Sequence, residues 1–198
     1  MAPLIDKAED HELVHAAQGG EEHAWRALLE RWLPTVHGWC TRLGGPRVDA
    51  HDAVQDVFEL VWTRLHTLDD PQSFPAWIYT VTRRVLDRHR RRAWLRRWLP
   101  GPLPSQAHPG ESPDLQVARS ELAQRVQDLL ERLPPAQREA LVLCDVEGRS
   151  APEVASLLSI PEGTVRSRLR LGRARFQREA GGREAVAGMV AGLEGDGR

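Results

Sequence analysis

The sequence contains few of the residues on which whole classes of protein depend. It has only two cysteines, Cys40 and Cys144, far apart and in apolar contexts. This pattern predicts free thiols in a reducing compartment rather than a disulfide framework. No apolar run approaches the roughly 18 residues of a membrane span, and the charged first ten residues do not resemble a signal peptide. We therefore expect a cytoplasmic protein with no membrane insertion.

The sequence also lacks the alternating apolar pattern of β-strands. Apolar residues instead recur at helical spacing, most clearly over Trp25–Trp39, Val54–Leu65 and Phe74–Val85. We therefore expect an all-α protein. Pro34 lies inside the first of these stripes, where proline removes a backbone donor, so we expect it to kink or split that helix.

Prolines are concentrated in one part of the chain. Five of the 14 prolines lie in Trp98–Leu115, which reads WLPGPLPSQAHPGESPDL. Such a stretch favours extended chain and predicts a linker. We therefore expect two small helical domains, residues 8–97 and 117–179, joined by a flexible linker at 98–116. The glycine-rich stretch 180–198 predicts a disordered tail.

Acidic and basic residues nearly balance over the whole chain, but each sign is concentrated locally. The net charge is −1. Residues 1–70, however, carry 13 acidic against 6 basic side chains. Residues 83–97 carry eight arginines and one acid, and residues 163–178 carry six arginines and none. Two basic islands on a neutral chain indicate two separate anion-binding faces.

The second island belongs to a helix-turn-helix pattern. Ser150 and Glu153 have the spacing of a capping box, which predicts a short helix from about Ser150 to Leu158. Ser159-Ile160-Pro161 predicts a turn, and a longer helix follows from about Glu162. On this helix Val165, Leu169, Gly172 and Phe176 share one face. The DNA-contact candidates lie away from that stripe or beside it: Arg166, Ser167, Arg168, Arg170 and Arg173. An apolar back with exposed donors suits a recognition helix in the major groove.

The first island and the helix before it offer two further surfaces. Arg83, Arg84 and Arg88 follow Trp77 and Tyr79, and aromatic rings beside arginines suit unpaired nucleic acid. The alternative for Trp77 is a place in the core. A predicted helix over His51–Leu65 also presents an acidic face opposite its apolar stripe. This face consists of Asp52, Gln55, Asp56 and Glu59, and from periodicity alone it is either solvated or a partner-protein surface.

One motif points to a different class of protein. His11-Glu12-Leu13-Val14-His15 matches H-E-x-x-H, the zinc-peptidase signature. The extended pattern requires glycine at position 18 and histidine at 21, where this chain has Gln18 and Glu21. Both histidines also fall away from the helix face that carries Leu13, Val14 and Ala17. We therefore expect no metal, no cofactor, no catalytic residue and no enzyme.

Four segments together resemble a known family. They are DAVQDVFELVW at Asp52–Trp62, FPAWIYTVTRRVLDRHRRR at Phe74–Arg92, LERLPPAQREALVLCDVEG at Leu130–Gly148 and EGTVRSRLRLGRARF at Glu162–Phe176. In this order they resemble bacterial RNA polymerase sigma factors of the sigma-70 family, extracytoplasmic-function (ECF) type. The resemblance covers about residues 10–179.

The resemblance implies a role for each surface. The first domain corresponds to region 2, in which Asp52, Gln55, Asp56 and Glu59 would contact core polymerase at the β′ clamp helices. Arg83, Arg84 and Arg88, with the loop Leu68–Phe74, would recognise and open the −10 element. The second domain corresponds to region 4, whose helix from Glu162 would enter the −35 major groove. The linker would thread through polymerase, and an anti-sigma factor is a further implied partner.

Ser159 and the start of the short helix depart from the family pattern. Ser159 occupies the turn position where a glycine is usual, and SAPEVA replaces a more common aromatic-acidic start. A stand-alone helix-turn-helix transcriptional regulator is the alternative function. That reading shares the second-domain argument but leaves the acidic face and the first basic island unexplained.

Overall fold

The computed structural model describes residues 7–45, 48–96 and 124–182. These residues are helical with short connections and contain no strand, which confirms the all-α prediction. The helices of the first bundle are α1 (Lys7–Gln18), α2 (Glu22–Gly44), α3 (Ala50–Arg64) and α4 (Phe74–Arg96). The second bundle contains α5 (124–131), α6 (Pro135–Leu141), α7 (Ala151–Leu158) and α8 (Glu162–Glu179).

The first bundle is built around aromatic side chains that the apolar stripes bring together. Trp32 contacts Phe74 edge-on, with ring centroids 5.4 Å apart, and Trp39 contacts Tyr79 edge-on at 4.9 Å. All four of these side chains are at most 2% exposed. Edge-to-face pairs of this kind add stabilisation to that of area burial. The core therefore fixes α4 against α2.

A buried carboxylate attaches α1 to α2. Asp10 is 1% exposed, and its Oδ1 lies 2.8 Å from Nε of Arg31. The same oxygen accepts a hydrogen bond from the indole N–H of Trp32, at 3.3 Å. A buried charge is tolerated when it is paired and hydrogen-bonded. Asp10 therefore orients the helix that carries the HELVH motif.

Of the two outcomes expected for Pro34, a kink or a split, the split does not occur, because α2 runs unbroken from Glu22 to Gly44 with Pro34 inside it. The helix is not split. Trp32, Val36 and Trp39 on either side of the proline are buried in the core. Tertiary packing of this face outweighs the backbone hydrogen bond that proline removes.

The second bundle has the predicted helix-turn-helix. Ser150 and Glu153 form the capping box at the start of α7, with both reciprocal hydrogen bonds present. Ser159 ends α7 in the left-handed region, at φ 53° and ψ 46°. Gly172 permits the close approach of α8 to α6, since a Cβ there would lie 3.0 Å from the carbonyl oxygen of Gln137.

The two bundles pack against each other. Helix α4 contacts α7, and α2 contacts α6. The side-chain amide of Gln127 donates to the carbonyl of Thr41 across this contact, at 2.9 Å. The predicted linker at 98–116 and most of the predicted tail lie outside the described residues. Among the helices of the described ranges, none is long and apolar enough to cross a membrane.

Candidate nucleic-acid and partner-protein interfaces

The acidic face of α3 lies on the surface, as the helical spacing predicted. Val54, Val57 and Phe58 on the opposite face are buried. Asp49 caps the helix by accepting from the backbone N–H groups of His51 and Asp52. Asp52, Gln55 and Glu59 are exposed, whereas Asp56 is half-buried. The exposed members make no side-chain hydrogen bond to any residue that the structure describes, so they are open to an external partner.

Asp56 connects the acidic face to the basic helix α4. One oxygen, Oδ2, lies 2.8 Å from Nη2 of Arg88 and 2.8 Å from Nε2 of His89. Burial alone would raise the pKa of Asp56, but the hydrogen bonds from His89 and Arg88 outweigh it and hold this pKa below its ordinary value. The structure therefore joins a candidate partner-binding carboxylate to a candidate DNA-binding arginine.

The three candidate arginines of α4 are all exposed but differ in their surroundings. Arg83 faces the second bundle, where its Nε lies 3.3 Å from Oε1 of Glu139. Arg88 pairs with Asp56. Arg84 is exposed and makes no ion pair with the described part of the chain. Only Arg84 among these three therefore has its full donor capacity available in this conformation.

The aromatic residues upstream of these arginines are mostly structural. Tyr79 is 2% exposed, so the prediction that it suits base stacking was wrong. It lies on the face of α4 that packs on Trp39. Trp77 is half-buried and packs near Phe74, with ring centroids 6.0 Å apart. Conversely, Trp62 was predicted in an apolar stripe but is 60% exposed, with its ring edge-on to Trp25.

The loop between α3 and α4 is held from α1 by a residue that the sequence did not single out. The side-chain amide of Gln18 donates to the carbonyl of Leu65 at 2.9 Å and to that of Leu68 at 2.8 Å. Asp70 then accepts from the N–H of Gln72 and starts the single turn Pro71–Ser73. The exposed loop side chains therefore stand on a fixed backbone beside α4.

The side chains of helix α8 are buried or exposed as the spacing of its apolar residues predicted. Val165 and Gly172 are buried, and Leu169 and Phe176 pack partly against the core. Arg166, Ser167, Arg170 and Arg173 are exposed, and Arg168 is half-buried. Arg166 pairs with Glu162 one turn earlier, an exposed i,i+4 pair of small energy. Arg168 and Arg170 have no ion pair among the described residues.

Arg173 differs from the other arginines of α8. Its Nε donates to Oδ2 of Asp145 at 2.9 Å, and its Nη2 donates to Oδ1 at 2.5 Å. This bidentate pair raises the pKa of Arg173 further above its ordinary value. Asp145 lies in Val142–Val146, a π-helical turn that continues α6. The pair thus attaches the middle of α8 to the turn that continues α6.

The HELVH motif forms no metal site in the structure. His15 is exposed and His11 is half-buried on α1, while Val14 is fully buried. The described residues contain no group of three or more histidine, cysteine, aspartate or glutamate side chains placed to hold a metal. Cys40 and Cys144 are free thiols, and burial raises the pKa of Cys40 to about 12.

Comparison with protein-family models and known sequences matches both bundles of the chain to one family. Residues 28–96 match sigma-70 region 2, and residues 123–176 match sigma-70 region 4. The chain is 34% identical over 152 residues to the ECF RNA polymerase sigma factor SigE of Mycolicibacterium smegmatis, with 76% of this chain and 59% of SigE covered. It is 32% identical over 184 residues to the RNA polymerase sigma factor CnrH of Cupriavidus metallidurans, covering 87% and 94%.

A solved structure agrees with this assignment. The complex of CnrH with the cytosolic domain of CnrY matches with a TM-score of 0.64 and 27% identity, over 85% of this chain and 94% of that one. The chain therefore belongs to the RNA polymerase sigma factors of the sigma-70 family. Within that family it belongs to the ECF group. The chain spans less than two thirds of SigE but nearly all of CnrH.

Proposed function

We propose that this protein is a sigma factor that binds core RNA polymerase and directs promoter-specific transcription initiation. It would do so by recognising −35 and −10 elements and helping to open the −10 DNA. The observation that carries the proposal is the arrangement of one acidic and two basic faces on the two family-matched bundles. Sigma factors are non-enzymatic DNA-binding proteins, which agrees with the expectation that the chain is not an enzyme.

The polymerase-binding surface in this proposal is the exposed side of α3. Asp52, Gln55, Asp56 and Glu59 would contact the β′ clamp helices, and the β subunit would be a further contact of the bound chain. Asp52, Gln55 and Glu59 support this role because they are exposed and have no side-chain partner in the described residues. Charges arranged in this way raise the rate and the specificity of association with a basic partner surface.

The −10 surface in this proposal is the exposed side of α4 with the loop before it. Arg83, Arg84 and Arg88 would neutralise phosphates of the opened strand, while the loop held by Gln18 would capture an unpaired base. Capturing an extruded base offsets the cost of unstacking it. The structure supports this role through the exposure of the three arginines and the fixed backbone of the loop.

The −35 surface in this proposal is α8. Arg166, Ser167, Arg168, Arg170 and Arg173 would face the major groove, with arginine forks on guanine acceptors or on phosphates. Because Asp145 holds Arg173 in two hydrogen bonds, Arg173 would act mainly by fixing α8, and Arg170 is the better candidate for a base contact.

The wider assignments rest on the same family membership. We propose residues 8–97 as region 2, 98–116 as a flexible linker, 117–179 as region 4 and 180–198 as a disordered tail. The protein would act in the cytoplasm, where core polymerase and promoter DNA are found. An anti-sigma factor is a further proposed partner; the similar sigma factor CnrH was solved in complex with another protein, the cytosolic domain of CnrY.

A binding experiment separates this function from a stand-alone helix-turn-helix regulator. Labelled protein would be titrated with bacterial core polymerase in the absence of DNA. A sigma factor binds, and Asp52→Lys combined with Glu59→Lys weakens binding about tenfold or more, because each reversal places like charges together. Glu12→Lys, an equally exposed reversal on α1, is the matched control and leaves binding unchanged. Absence of core binding by the unmodified chain would favour the regulator.

A further inference from the structure

A buried glutamate lies where the two bundles meet. Glu139 on α6 is 6% exposed. The hydroxyl of Tyr79 on α4 donates to its Oε1 at 2.7 Å, and Nε of Arg83 lies 3.3 Å from the same oxygen. Both partners belong to the first bundle, whereas Glu139 belongs to the second. One carboxylate oxygen therefore carries two contacts between the bundles.

Burial and charge strengthen the hydrogen bond between Tyr79 and Glu139. Burial and the negative charge of Glu139 both raise the pKa of Tyr79, so the hydroxyl keeps the proton that it donates. A charge-assisted hydrogen bond in a water-excluded place is stronger than an exposed one. Loss of either partner would leave the buried carboxylate with only one of its two contacts, which is costly.

Arg138, the residue next to Glu139, destabilises the contact between the bundles. Arg138 is 7% exposed, and its side chain makes no hydrogen bond or ion pair with the described residues. Burial lowers the pKa of Arg138, and the positive charge of Arg90 on α4 lowers it further, with only Glu131 acting in the opposite sense. A buried guanidinium without a paired counter-charge destabilises the arrangement that buries it.

The contact is also incompletely packed. A cavity of about 70 Å³ lies between the bundles, lined among others by Thr82, Arg83 and Arg90 from α4 and by Arg138 and Glu139 from α6. Close packing normally leaves few voids larger than a water molecule. Buried apolar residues of both bundles form one continuous cluster, and the polar contacts lie beside it around this cavity.

We propose that Tyr79, Glu139 and Arg83 form an interdomain latch that holds the two bundles in a closed conformation, and that Arg138 keeps this latch weak enough to open. In the closed state Arg83 is paired with Glu139 and is therefore less available to DNA. The consequence for DNA, that closure competes with nucleic acid for Arg83, rests on the proposed function. The latch itself does not.

The rate of thiol labelling measures the opening directly, even when the open state is rare. Thr82 is 1% exposed and lines the cavity, so a cysteine at this position becomes accessible when the bundles separate. Thr82→Cys would be made in the full chain with Cys144→Ser. Labelling of the buried Cys40 would be measured in the same background without Thr82→Cys and subtracted. Circular dichroism would verify that every variant is folded.

The latch predicts opposite effects for neighbouring substitutions. Glu139→Ala and Tyr79→Phe should each accelerate labelling about tenfold or more, the value of a lost hydrogen bond to a charged group. Their combination should accelerate it less than the product, because both break one interaction. Arg138→Met should slow labelling. Glu179→Gln, which breaks the Arg132–Glu179 pair within the second bundle, is the control and should change nothing.

Two results would overturn the latch. Labelling of Thr82→Cys at the rate of an exposed thiol in the otherwise unmodified background would show that the closed contact does not form. Equal labelling rates in the parent, Glu139→Ala and Tyr79→Phe would show that this contact does not hold the bundles together. Binding of labelled oligothymidine tests the consequence separately. If labelling accelerates but DNA affinity does not rise in an Arg83-dependent manner, the latch stands and the proposed role of Arg83 fails.

Discussion

Replacement of Ser159 by glycine should stabilise the protein, although it removes a side chain. Ser159 ends α7 at φ 53° and ψ 46°, in the left-handed region. A residue with a Cβ pays roughly 1–2 kcal/mol for this conformation. Glycine avoids that cost but loses about 0.5–1 kcal/mol through the greater freedom of the unfolded chain. The expected net gain is therefore about 0.5–1 kcal/mol in the free energy of unfolding.

The assay is chemical denaturation of the full chain, with Ser156→Gly as the matched control. Ser156 is exposed inside α7 with helical backbone, so glycine there should cost about 0.5 kcal/mol. The two serine-to-glycine changes should thus shift the unfolding midpoint in opposite directions. A midpoint that falls for Ser159→Gly would refute the reasoning, because it would mean that the serine side chain stabilises the turn.

Three further predictions test particular contacts. Gln18→Ala should lower the free energy of unfolding by about 1–2 kcal/mol, because two carbonyls lose their donor, whereas exposed Gln55→Ala should stay within about 0.5 kcal/mol. Asp56→Asn should cost about 0.5–1 kcal/mol at neutral pH, since the pair with Arg88 is partly exposed. The pKa of Asp56 is lowered on folding, so this difference is fully present above the ordinary carboxyl value of 3.8 and is lost as the pH falls through the lowered pKa of the folded state. A difference that persists at still lower pH would contradict the assignment. Arg170→Ala should reduce the salt slope of −35 DNA binding by about one, and Arg173→Ala should reduce it less while lowering stability.

The sequence was a good guide wherever one helix decided the outcome. The capping box of Ser150 and Glu153 and the buried face of Val165 and Gly172 depend on spacing within a helix, and the structure has them as predicted. At Pro34 a local rule left a kink and a split both open, and the structure excludes the split.

Contacts between distant segments could not be read from the sequence. The pairing of Glu139 with Tyr79 joins residues 60 apart, and that of Asp56 with Arg88 joins residues 32 apart. Spacing within a helix contains no information about which side chain another helix will bring near. The role of Gln18 was hidden for the same reason, because its partners are backbone carbonyls 47 and 50 residues away.

Run-off transcription with purified bacterial core polymerase tests the central claim most directly. Templates would be a library of genomic promoter fragments, and products would be sequenced from their 5′ ends. The account predicts initiation from a defined set of promoters only when this chain is added, with loss of that initiation in Asp52→Lys combined with Glu59→Lys. Core enzyme that starts from no promoter in the presence of the folded chain would contradict the account.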